Sequence, residues 1–162
     1  MIYLLDANVL IYAHATFYPL DMVPPFWDWL VSEGKAGRVK IPPEIADEVV
    51  NGKRDPLSIW LAQKDVWEAL VIDHGADVAK VRYVLDNGYG SNLDAVVLAK
   101  IKADPFLVAH ACGHADRTVV TREVSEPKRA PQNRKVPDAC DRCKVPWMMD
   151  HQFYRVAGFK VR

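Results

Sequence analysis

The apolar run Ile2-Tyr3-Leu4-Leu5 ends abruptly at Asp6, and behind it the apolar spacing changes to Val9, Leu10 and Ala13. The run reads as a buried strand and the new spacing as a helix. A strand passing directly into a helix places a carboxylate at the carboxyl end of a first, central strand. In open α/β sheets that edge is where ligand crevices form. Asp is also a good N-cap residue, so Asp6 alone reads equally well as a helix cap. The other acids have to decide.

Along the chain, Thr16 to Pro25 is a polar, proline-bearing connection, and Phe26, Leu30 and Val31 mark a helix closed by Gly34 and Gly37. Arg38-Val39-Lys40-Ile41 alternates as a short second strand. Pro42-Pro43 ends it and opens a helix, whose first turn tolerates proline. On that helix Ile45 and Val49 face the core, while Glu44 and Glu48 share an adjacent face. Leu57 to Gln63 predicts a short helix and Trp67 to Asp73 an extended segment. Val78, Val81 and Leu85 mark a further helix, stopped at Asn87-Gly88. Ser91 then reads as the N-cap of a helix carrying Leu93, Val97 and Ile101, the two consecutive helices forming an antiparallel pair.

A helix opens at Asp104-Pro105 and runs to about Ala115, followed by the compact strand Thr118-Val119-Val120-Thr121. Ser125 to Pro137 is a proline- and charge-rich loop. A short helix at 137–143, a strand at 146–149 and a helix at 150–157 complete the alternation. Strands and helices in this order predict a three-layer α/β/α fold with a mostly parallel central sheet. The 162 residues suffice for one domain, 1–162, with a real core.

The acids fall at matching places in that scheme. Asp6 ends one strand, and Glu48 lies in the helix after the second. Asp104 starts the helix feeding the next strand, and Glu123 follows that strand's end. Converging carboxylates repel, and a hard divalent cation such as Mg²⁺ or Mn²⁺ is the usual resolution. Such a site suits phosphodiester hydrolysis. Singly, each acid has a plainer reading: Asp104 before Pro105 as a helix cap, Glu48 as a solvated helix residue, Glu123 as a loop acid.

Four motifs carry a family resemblance. Leu5-Asp6-Ala7-Asn8-Val9-Leu10-Ile11 resembles the opening of PIN-domain nucleases, and Ile41-Pro42-Pro43-Glu44-Ile45-Ala46-Asp47-Glu48-Val49 their second motif. Ala103-Asp104-Pro105-Phe106-Leu107-Val108-Ala109-His110-Ala111 is similar to the third, and Val119-Val120-Thr121-Arg122-Glu123 to the fourth. Within that family the chain resembles the DUF4411-type PIN-like proteins, which share the Thr-x-Glu ending and a late Pro-Asp-x-Cys, here Pro137-Asp138-Ala139-Cys140. The resemblance implies a metal-dependent endoribonuclease, commonly the toxin of a bacterial type II toxin–antitoxin pair, with RNA as substrate and an antitoxin protein as partner. Asp6, Glu48, Asp104 and Glu123 would bind Mg²⁺ or Mn²⁺, with Asn8 orienting Asp6 and Thr121 in support. Glu44 can exchange with Glu48 as the second acid. Glu123 departs from the more usual Asp by one methylene, and Asp138 can supplement it if the loop folds back.

Equal numbers of acidic and basic residues, 21 each, leave nucleic-acid binding to a local patch. The segment 122–144 supplies one, with seven basic residues against four acids; Arg122, Lys128 and Arg129 are its candidate RNA contacts. No apolar stretch approaches the roughly 20 residues of a membrane span. The early Asp6 argues against a signal peptide, and three cysteines make no disulfide framework, so the expected location is cytoplasmic. Cys140-x-x-Cys143 has zinc-like spacing, with Cys112, His110 and His114 as candidate partners. The rival from another class is an inactive PIN-fold module that binds RNA or protein. A DNA-directed nuclease of the flap type is disfavoured because the extra DNA-binding elements are missing. Phe26, Trp27 and Trp29 serve either a homodimer interface or the core.

Overall fold

The computed structural model describes residues 1–91 and 93–161. β1 (Ile2–Leu5) passes at Asp6 into α1 (Ala7–Tyr12), which widens into a π-helical turn at Ala13–Phe17. Then come α2 (Pro24–Lys35), β2 (Val39–Lys40), α3 (Pro43–Asn51), α4 (Pro56–Leu61) and α5 (Lys64–Leu70). α6 (Val78–Val84) runs into a second π-helical turn at Leu85–Tyr89, followed by α7 (Ala95–Ile101) and α8 (Asp104–Ala111). β3 (Arg117–Thr121), α9 (Val136–Arg142), β4 (Trp147–Met149) and α10 (Asp150–Val156) close the chain.

The four strands form one parallel sheet in the order β2-β1-β3-β4. Helices flank it in a three-layer α/β/α arrangement. β1 is central because it is apolar on both faces: Leu4 and Leu5 are fully buried. β3 pairs with it in a register that sets Leu5 opposite Val120. Two strand ends, and the residues that follow them, therefore meet at one edge of the sheet.

Several elements differ from expectation. The segment from Trp67 is not extended: α5 buries Val66, Ala69 and Leu70 at helical spacing, and extended pairing shrinks to one bridge between Val71 and Ile41. The apolar residues fit either period, and packing against α2 chose the helix. Ser91 does not cap α7. That role falls to Asp94, whose carboxylate accepts the Val97 N–H at 2.9 Å. α6 packs chiefly on α8 instead of pairing with α7. Phe26 and Trp27 are buried, and Phe26 stacks on Tyr18 at 4.3 Å while Trp29 leans on Phe153 and Phe159. This aromatic group belongs to the core. No helix among the described residues is long and apolar enough to cross a membrane.

Candidate active site at the carboxyl edge of the sheet

Asp6 holds the N-cap position of α1 but makes no side-chain cap bond. Its N–H donates to the Val120 carbonyl at 3.0 Å, extending the β1–β3 ladder and bringing its carboxylate against Thr121. Asp6 Oδ2 accepts from Thr121 Oγ1 at 2.8 Å and from Asn8 Nδ2 at 2.8 Å. Asn8 Oδ1 in turn accepts the Arg122 N–H at 3.0 Å, and Thr121 Oγ1 accepts the Glu123 N–H at 3.1 Å. The Asp-x-Asn and Thr-x-Glu motifs thus lock together, with the Thr121 hydroxyl at the junction. Glu123 Oε2 accepts the Val136 N–H at 2.7 Å, a free donor in the first turn of α9.

Glu44 and Glu48 have different fates. Glu44 Oε1 accepts the Ala76 N–H at 2.8 Å, and its Oε2 lies 3.0 Å from Nε2 of the buried His110. The start of α3 therefore meets the end of α8, so the two helices run oppositely. Glu48, one turn further along α3, comes level with the start of α8, where Asp104 sits. Asp104 is the first residue of α8 and makes no cap bond; Ala103 holds the cap position.

These four acids act on one another. Asp6, only 4% exposed, is pushed up to about 7, mainly by burial. The Thr121 hydrogen bond opposes that shift, and the charges of Glu123 and Glu48 add to it. Asp104 is pushed up to about 9, first by burial and then by Asp6, Glu123 and Glu48, with Lys102 alone pulling it down. The charges that add to the effect of burial here belong to neighbours within about one Debye length. Among the described residues, no three His, Cys, Asp or Glu side chains already stand posed around an ion. The donor set is nonetheless all carboxylate, and its mutual repulsion is what a hard divalent cation relieves. Asp6 Oδ1 and Glu123 Oε1 stay clear of the bonds that fix their partner oxygens.

Other candidate residues have structural duties. Asp138 accepts from Ser125 Oγ at 2.5 Å and from the Glu126 N–H at 2.8 Å, so it anchors the loop and does not supplement Glu123. Arg129 pairs with Glu126, and Lys128 is exposed. The cysteines are all free; Cys140 is buried on α9 and Cys143 at its C-cap, His110 is engaged by Glu44, and His114 by Lys80 at 3.0 Å. Those engagements leave the zinc-like spacing without its partners.

Sequence reasoning missed Tyr89 and Lys102. Tyr89 ends the second π-helical turn, its hydroxyl buried without a protein partner among the described residues and in the field of Asp104, Glu123 and Asp6. Lys102 adopts a left-handed backbone, φ 46°, two residues before Asp104. A lone lysine at a helix end carries no sequence signal for either property. The Gly90 that follows Tyr89 does carry one, and its φ of 108° requires glycine.

A parallel α/β sheet with an acid cluster at its carboxyl edge defines a class of site, one suited to cations and phosphate esters. The profile of the family described as "Domain of unknown function (DUF4411)" matches residues 3–161, and the chain belongs to that family. No curated protein and no solved structure matches the chain.

Proposed function

We propose that this chain is a Mg²⁺- or Mn²⁺-dependent endoribonuclease with a PIN-like site. The observation that supports this most is the gathering of Asp6, Glu48, Asp104 and Glu123 at one sheet edge, where burial first and the neighbouring acids second raise Asp6 to about 7 and Asp104 to about 9. Four carboxylates do not assemble at a buried sheet edge for stability, because they repel there. Asp6, Glu48, Asp104 and Glu123 would hold the cation. When bound, it supplies Lewis-acid activation of water and charge neutralisation at phosphorus. Thr121 and Asn8 fix the Asp6 carboxylate, and the Val136 N–H fixes Glu123, so these two of the four acids are held in place by the fold itself. The resemblance to PIN toxins extends the reading to a cytoplasmic toxin with an antitoxin partner and a homodimeric state.

The test is cleavage of labelled RNAs with Mn²⁺ or Mg²⁺, with EDTA, and with Asp6→Asn, beside a calorimetric Mn²⁺ titration. Cleavage lost in EDTA and in Asp6→Asn, together with Mn²⁺ binding that Asp6→Asn weakens, is the expected result. Mn²⁺ binding or RNA binding without turnover would favour the inactive binding module. Cleavage that survives Asp6→Asn would defeat the acid-site assignment.

A further inference from the structure

Two aromatic rings stand exposed beside the acid site. The π-helical turn after α1 brings residues five apart onto one face, so Phe17 returns against Tyr12 with ring centroids 5.4 Å apart. Tyr12 is 37% and Phe17 54% exposed. Arg122 lies over the Tyr12 ring, its guanidinium carbon 3.6 Å from the centroid and 6.0 Å from that of Phe17. Its Nη1 donates to Asp150 Oδ2 at 2.5 Å, and Asp150 is buried. The Arg122 charge is therefore already met, and its side chain is a fixed plane instead of a free phosphate anchor.

The group is joined to the acids through the backbone, since the Arg122 N–H donates to the Asn8 amide that also holds Asp6, and Glu123 is the next residue. Because Arg122 adjoins Glu123, these planes lie next to where a strand with its phosphate among the acids would run. Rings and a stacked guanidinium recognise the faces of unpaired bases, which a duplex hides inside its stack.

We infer that Tyr12, Phe17 and Arg122 form a stacking platform for an unpaired base of single-stranded RNA crossing the acid site. The inference rests on the nuclease reading for its substrate, but binding and cleavage are separable. Lys102, the cation acting on Asp104, lies in the turn between α7 and α8, two residues before that acid, and suits the strand's phosphate.

The experiment is fluorescence anisotropy in EDTA with labelled oligouridylate, an abasic-spacer strand of the same length and charge, and an RNA hairpin. Because the two strands carry equal charge, repulsion by the acids cancels in their comparison. Oligouridylate should bind about tenfold more tightly than the abasic strand. Phe17→Ala and Arg122→Lys should shrink that ratio towards one, and Phe17→Trp should restore it. Equal affinity for both strands, preference for the hairpin, or an unchanged ratio in Phe17→Ala overturns the platform. So does sedimentation showing that Phe17→Ala splits a dimer, which assigns the rings to a second copy. Base-dependent binding without cleavage in Mn²⁺ would sink the nuclease reading and keep the platform; cleavage with base-independent binding would do the reverse.

Discussion

The Thr121 hydroxyl is the smallest part on which the site depends. It donates to Asp6 and accepts from Asn8 and from the Glu123 N–H, so it ties two motifs more than a hundred residues apart. Thr121→Val keeps the shape and removes the bonds, leaving a buried carboxylate short of a donor. We expect a loss of about 1–3 kcal/mol in chemical denaturation and weaker Mn²⁺ affinity by calorimetry. The two glutamates of α3 provide the sharper comparison. Glu48→Gln removes a charge acting on Asp6 and Asp104 and should weaken Mn²⁺ binding and RNA cleavage together. Glu44→Gln touches only the His110 and Ala76 contacts, so it should lower stability by about 1 kcal/mol and keep the divalent-dependent rate. If Glu44→Gln abolished cleavage and Glu48→Gln did not, the second acid would be Glu44.

At the scale of elements, the most informative difference is α5. Val66, Ala69 and Leu70 lie against α2 so closely that a Cβ on Gly34 would stand 2.6 Å from Leu70 Cδ2 and 2.7 Å from the Ala69 carbonyl oxygen. Glycine at 34 is thus a packing requirement, not merely a helix terminator as its position suggested. Gly34→Ala should lower the unfolding free energy by about 1–3 kcal/mol in chemical denaturation, despite alanine's better helix propensity. Unchanged stability would mean the two helices can separate freely. Short apolar segments carry no decisive period, so their state is set by neighbours. The strands β1 and β3 were legible because their buried centres, Leu4-Leu5 and Val119-Val120, are consecutive apolar residues that point to both faces of the sheet.

Across the whole molecule, the acid cluster sets how stability varies with pH. Asp6 and Asp104 have native values raised above the usual carboxylate range, to about 7 and about 9. Their contribution to stability is full below the unfolded value near 3.8 and is lost as pH rises through 7 and then 9. Buried His110 is lowered, mainly by desolvation, so it opposes this by losing stability as pH falls through its ordinary 6.5. In EDTA, thermal melts should therefore decline from near neutrality towards pH 9, and Asp104→Asn should flatten that decline and raise the midpoint at pH 8. Adding Mn²⁺ should do the same for the unsubstituted chain, because a bound cation favours the ionised acids. A melt independent of pH in this range would mean that Asp6 and Asp104 are not raised in the folded chain.

The parallel sheet, the succession of its strands and the positions of Asp6, Asp104 and Glu123 near its edge were readable from the linear chain; the state of α5 was not. Hydrophobic period and motif spacing are local, and a parallel α/β chain repeats them in order. The choice between Glu44 and Glu48, the diversion of Asp138 to its loop and the capture of Arg122 by Asp150 and Tyr12 were not readable there. Each depends on which side chain meets which across helices distant in sequence. Tyr12 and Phe17 met only because a helix widened by one residue per turn. Sequence alone determined which groups could reach the sheet edge; packing decided which of them remained free there, since Glu44 and Asp138 have both carboxylate oxygens engaged in the fold while Asp6 and Glu123 are each held through one.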